Sequence, residues 1–374
     1  MEPKISFVAI LLFVLIGCRT TGTAQLNESG SGRDTRRAES SASDSSLCED
    51  AVLAKHLDQI DRILNVESPW KTTFDFRDAK FLIHMRDRKG ALARGFSADH
   101  LRESGFDATP CIGRPAYSLV SNTTIPDPAN GLFELIDGTE QFLFDHYAGL
   151  GYGDYAKLSK LAQKPIATML LPIQIDISVD PASNPAVADF LANRENEAAL
   201  ILVHELFHAH EKWGDPPVFG PREVAFNCAS NPEWKSAILA EINDWRREGP
   251  SILRMSAASA RALARAILEH RQSSPRECWQ QFGYWERIEG TAMYVESMAG
   301  FDSGVLSIKR DPIKLGEMFG AASDPASEDW EPFYATGNLL CRLMRVIDPS
   351  LAWQARIETG VTPETALGEI LARQ

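Results

Sequence analysis

Residues 198–210 read AALILVHELFHAH, and no other stretch restricts this chain so tightly. Its Ala and Leu content favours a helix, and its aliphatic flank, Leu200 to Val203, needs burial on most of its circumference. Within it, His204-Glu205-Leu206-Phe207-His208 forms an HExxH pattern. Histidines four apart on a helix lie about 40° from each other on successive turns, so two imidazoles can reach one Zn²⁺ at about 2.0–2.1 Å. Glu205 stands beside them, placed to take a proton from water held at the metal. The alternative, two hydrogen-bonded histidines on a plain core helix, leaves Glu205 buried without a purpose, which is costly. His210 falls roughly 200° from His208 around the wheel and is expected at the surface.

A hydrolytic zinc site needs a third protein ligand and one open position. Residues 284–297 read YWERIEGTAMYVES. The series Trp285, Glu289-Gly290, Ala292, Tyr294-Val295-Glu296 resembles the third-ligand helix of aminopeptidase N-like gluzincins, in which the glutamate before glycine binds zinc. The resemblance implies Glu289 as ligand, with Glu286 one turn upstream as the fallback. Glu296 lies about two turns, roughly 10.5 Å, beyond Glu289, so it is expected behind the ligands rather than on the ion. Small Gly290 and Ala292 are expected to let this helix approach the HExxH helix. Thermolysin-like relatives often carry an acid four residues after the ligand, where this chain has Met293.

A third segment, Phe333-Tyr334-Ala335-Thr336-Gly337, resembles the Tyr-x-x-Gly helix start of the same enzymes. It implies that the Tyr334 phenol donates to the oxyanion developing on a scissile carbonyl. The similarity spans residues 197–344 and rests on short motifs. The amine-capturing glycine-x-methionine-glutamate-asparagine segment of aminopeptidases is absent, the strand before the zinc helix reading LLPIQIDIS, so aminopeptidase specificity is not implied. Serine-nucleophile, P-loop and dinucleotide patterns are also absent, which leaves no support for nucleotide binding.

The other end of the chain reads as an address. Lys4 precedes a small and apolar run over residues 5–17, too short for a spanning helix, which takes about 20 residues, but suited to a signal peptide. It closes on Leu15-Ile16-Gly17-Cys18, which resembles the lipobox of bacterial lipoprotein precursors and implies lipidation of Cys18. A plain secretory peptide and a retained anchor are the alternatives. Residues 18–46, rich in Ser, Thr and Gly, have too little apolar surface to fold and are expected to form a flexible tether. Arg19 after the cysteine, where inner-membrane lipoproteins often carry Asp, leans towards an outer-membrane address facing the periplasm or the surface. With 38 basic against 51 acidic residues, the net charge of −13 disfavours nucleic acid as a partner.

Export suits the remaining cysteines, which have no metal-type spacing. Five cysteines allow many pairings, and proximity alone favours Cys48 with Cys111 and Cys228 with Cys278, leaving Cys341 as a buried hydrophobe. The expected fold is α+β, a mostly helical zincin-like metallopeptidase core with a small sheet before the HExxH helix. Residues 47–184 form the α+β portion and 185–374 the helical zinc-site portion, with a helical insert at 212–278 pinned by a disulfide. In that insert Trp234 and Trp245 are expected in the core and His270 at the surface. Strands are expected at 80–85 and 167–179, and helices at 47–64, 233–247, 256–272, 279–298 and 334–347.

The expected activity is hydrolysis of peptide bonds in a peptide or protein substrate by an exported, lipid-anchored zinc enzyme. The alternatives are an inert metallopeptidase-like lipoprotein serving as a binding or structural module of the envelope, and zinc hydrolysis of a non-protein amide such as a cell-wall linkage.

Overall fold

The computed structural model describes residues 48–85, 90–121, 134–136, 161, 167–171, 185–210, 228, 231–320 and 332–373. The leader, Cys18, the tether, Ile173 to Val179 and the first part of the insert lie outside the described residues.

Helix α1 (Ala51–Leu64) starts where the Asp50 carboxylate accepts the Leu53 amide at 3.0 Å, and it buries Leu53, Leu57, Ile60 and Leu64 along one stripe. Strands β1 (Phe81–Met85) and β2 (Ala91–Arg94) follow, then helix α2 (Ala98–Glu103), strands β3 (Ala108–Pro110) and β4 (Tyr117–Val120), and short β5 (Glu134–Ile136) and β6 (Ala167–Leu171). They form one six-stranded sheet in the order β3-β4-β2-β1-β6-β5. All neighbours are antiparallel except β1 and β6, which run parallel with Ile83 opposite Met169. Gly90 enters β2 at φ 98°, a conformation that favours glycine, and a Cβ there would stand 2.8 Å from the Val120 carbonyl. Of the strand expected over 167–179, the described part is Ala167–Leu171.

The rest is helical. Helix α3 (Pro185–His210) carries the HExxH residues in its last turns. Helices α4 (Pro232–Glu248) and α5 (Ala257–Gln272) are capped by the side chains of Asn231 and Ser256. Helix α6 (Arg276–Trp285) runs through a π-helical turn, Glu286–Gly290, into α7 (Thr291–Ser303), which Gly304 ends at φ 73°. Helices α8 (Asp311–Gly320), α9 (Phe333–Ile347), α10 (Trp353–Glu358) and α11 (Pro363–Ala372) complete the chain. The protein is α+β and mostly helical.

One continuous apolar cluster runs from Leu53 to Ile370, so the α+β and helical portions share a core. The insert belongs to it as well. Trp234 and Trp245 are buried, the Cys228–Cys278 disulfide ties the chain just before α4 to α6, and the part-exposed His270 bridges α5 to α4 through Asp244 at 2.9 Å. Cys48 pairs with Cys111, and Cys341 is fully buried. Trp70 packs its ring edge-on to Phe207 of α3, Tyr294 of α7 and Trp353 of α10, with centroids 5.1, 6.5 and 5.7 Å away. This wedge fixes the C-terminal turns of α3 against α7.

The helix expected over 279–298 is continuous but widened at 286–290 by the π turn. Gly290 and Gly337 meet backbone to backbone, and a Cβ on Gly290 would fall 2.5 Å from the Gly337 Cα. Gly290 therefore admits α9, the helix of Tyr334, while α7 packs along the HExxH helix, with Gly300 facing Leu200. The Thr291 hydroxyl donates to the Arg287 carbonyl at 2.6 Å, a side-chain-to-backbone bond from the first residue of α7 back into the π turn.

Candidate metal centre

Three donor atoms converge where α3 meets the π turn. His204 Nε2 and His208 Nε2 are 3.0 Å apart, and Glu289 Oε2 lies 3.4 Å from the first and 3.1 Å from the second. Donors on a tetrahedral Zn²⁺ with bonds of 2.0–2.1 Å stand about 3.3 Å from each other, so this triangle fits a small divalent ion without rearrangement. The group can hold a metal. Two imidazole nitrogens and a carboxylate oxygen facing one another need a cation or a shared proton between them. Without metal a proton serves: burial opposes the charged form of His204, but hydrogen bonds to Glu289 and Glu296 outweigh it and raise its pKa to about 9. Burial likewise resists the charge on Glu289, and the field of His208 with hydrogen bonds from both histidines holds it well below the usual carboxylate range.

Glu205, between the two histidines on the same helix, is buried at 5% exposure. Tyr334 is stacked beside His204 at a centroid distance of 5.9 Å, brought there by the Gly290–Gly337 crossing three residues away on α9. Phe333 anchors the same turn by stacking on Trp285.

Glu296 sits behind the trio. Its Oε2 is 3.1 Å from His204 Nδ1, on the side of the ring opposite the convergent donors, an arrangement that orients a metal-ligating histidine. Its Oε1 is bonded to Lys314 Nζ, which also reaches Glu197 Oε2 at 3.4 Å. Burial disfavours the carboxylate, yet Lys314 and His204 bring Glu296 down to about 2. Glu286, the fallback ligand, is excluded from the trio: it is fully buried and gripped by Arg271 at 2.6 and 2.8 Å. The same guanidinium binds Glu241 at 2.5 and 2.9 Å and lies over the Trp279 ring at 4.6 Å. Glu286 thus serves to hold the π turn. His210 is also away from the donors, as its wheel position predicts, and is part-exposed, its Nε2 2.7 Å from Thr73 Oγ1 and its ring 5.0 Å from Phe74.

Lys314, Glu197, Arg271 and Glu241 escaped the sequence reading. Glu197 carried a signal, since it precedes His204 by seven residues and so shares its helical line. Nothing in the spacing of Lys314 or Arg271 points to the partners they meet in space.

A metal held by the trio would have to displace the His204 proton, which would link its uptake to pH. In the metal-free protein the raised pKa contributes stability that is complete below the unfolded value of about 6.5 and lost as pH rises through about 9. Zinc would need the neutral ring, so its apparent affinity is expected to climb across that window. Calorimetric scans with and without zinc are expected to show a larger upward shift in Tm at pH 8.5 than at pH 6; equal shifts contradict the proton–metal competition.

Comparison with family models, with curated proteins and with solved structures finds no match to this chain.

Proposed function

We propose that the chain is a zinc-dependent metallopeptidase of gluzincin type, zincin-like in its core, exported and lipid-anchored through Cys18 in the cell envelope. The observation that carries the reading is the converging trio of His204, His208 and Glu289, with Glu205 adjacent and Tyr334 stacked on the same imidazole. Zinc, when bound, supplies Lewis acidity that polarises a carbonyl and acidifies water. His204, His208 and Glu289 would hold it. Glu205 takes the proton from the attacking water and delivers it to the departing amine. Tyr334 donates from its phenol to the oxygen on which negative charge develops. Glu296 keeps the His204 ring in place from behind.

Two disulfides agree with an oxidising compartment, and no helix among the described residues is long and apolar enough to cross a membrane. Arg19 favours the outer membrane. The assay is hydrolysis of casein and a mixed peptide library beside purified envelope polymer. The reading expects peptide cleavage that a chelator abolishes and zinc restores. A zinc-loaded, folded protein inert to every peptide favours the envelope-binding alternative, and cleavage of the polymer alone favours a non-protein amide.

A further inference from the structure

Resting on the metal-site reading above, we propose that Lys314 is a positioning residue for the metal centre: it locks Glu296 so that His204 presents Nε2 to the ion.

The argument starts from what is buried. Glu197, Glu296 and Lys314 are 3%, 2% and 7% exposed, and charges are rarely taken out of water without mutual partners. Lys314 Nζ lies between Glu296 Oε1 and Glu197 Oε2, and Arg310 Nη2 stands 2.9 Å from the other Glu197 oxygen. The charges alternate from Arg310 through Glu197, Lys314 and Glu296 to the imidazole of His204. Glu197 and His204 stand seven residues apart on α3, as Glu289 and Glu296 do from the π turn into α7. Lys314 of α8 therefore joins the helix bearing the histidines to the helix that follows the third donor, one level behind the site.

A buried carboxylate beside an imidazole can accept from Nδ1–H, or it can take up the proton itself or turn away. The ammonium on Glu296 Oε1 leaves Oε2 free for Nδ1 and disfavours the other two states. The tautomer follows: with the proton on Nδ1, the lone pair is on Nε2, the atom 3.0 Å from His208 Nε2 and 3.4 Å from Glu289 Oε2.

Helix α8 does not depend on this lysine for its place. Its Asp311 carboxylate is bound by both terminal nitrogens of Arg342 at 2.7 and 2.8 Å. Arg342 Nε donates to Asn338 at 2.9 Å, and Asn338 donates to Ser297 at 3.2 Å. Asn338 and Arg342 lie four and eight residues beyond Tyr334, so the helix presenting the phenol also holds α8.

The test is a double-mutant cycle on the full chain, with Zn²⁺ affinity read by competition with a chromophoric chelator. Lys314→Met and Glu296→Gln are each expected to weaken zinc binding by about 10–100-fold, and the combined variant no more than Glu296→Gln alone. Lys314→Arg is expected to recover part of the loss. Cobalt-loaded Lys314→Met should show an altered visible spectrum, a change that loss of stability alone does not produce. Thermal unfolding of the metal-free proteins monitors the fold, and charge-balanced Lys314→Met/Glu197→Gln replaces the single variant if that one does not fold. Wild-type affinity in the lysine variants, or losses that multiply in the double variant, overturn this inference and leave the metal site standing. A wild-type chain that binds no zinc overturns both.

Discussion

Glu205→Gln is expected to lower peptide hydrolysis by about 10²–10⁴-fold, the usual contribution of a positioned general base, while zinc content and fold remain at wild-type levels. Gln keeps the size and polarity of the side chain and loses only its ability to take a proton. The position suits this substitution. Glu205 is buried beside two donor histidines but is not a member of the converging trio. Its removal therefore separates proton transfer from metal binding. The check is kcat and KM on a cleavable peptide with metal content measured on the same preparation. The loss should fall on kcat, with KM little changed. Full activity in the variant removes Glu205 from the mechanism.

The largest expected effect on stability comes from Arg271→Met, about 3–5 kcal/mol, because it strips the cation from two carboxylates with no access to water. Glu241 and Glu286 are both fully buried, and the guanidinium supplies two contacts to each. Burial already pushes the Glu286 pKa above its ordinary value, with Arg271 acting against the rise. Without the arginine the Glu286 carboxyl should become protonated more readily. The sign follows: a raised carboxyl pKa penalises the folded state above that pKa, so the deficit of the variant should shrink as pH falls from 7 towards 5. Denaturant unfolding at the two pH values measures it. A deficit under ~1 kcal/mol at pH 7 would show that the cluster relaxes or hydrates. As Glu286 belongs to the π turn that presents Glu289, weaker zinc binding should accompany the loss of stability.

How far the sequence could be read depended on whether an interaction is local. The pairing of His204 with His208 is a property of one helix, so four residues of spacing were sufficient to place both imidazoles together. The placement of Glu296 behind His204 also follows from helical pitch, although Glu289 and Glu296 differ in role because they meet opposite nitrogens of one ring. The π turn was not legible. It depends on the Gly290–Gly337 crossing and on the Arg271 grip, both of which join residues far apart in the chain. For the same reason Gly290 looked like a contact for the HExxH helix when it is a contact for the Tyr334 helix. Glu286 was a plausible ligand by spacing and is unavailable because a distant arginine holds it. His210, facing away from the donors as its wheel position predicts, and His270 are both part-exposed, but their contacts with Thr73 and Phe74 and with Asp244 come from distant segments or helices that spacing does not reveal. The cysteine pairs are the ones that sequence proximity favours, Cys48 with Cys111 and Cys228 with Cys278.

The central claim is that His204, His208 and Glu289 form one metal site. Elemental analysis of the purified chain, after equilibration with zinc and removal of loosely held ion, tests it most directly. The account predicts about one zinc per chain in the wild type, with loss in Glu289→Ala and in the combined His204→Ala/His208→Ala variant. Wild-type protein without zinc, or variants that retain it in full, would contradict the account and return the HExxH helix to a packing role.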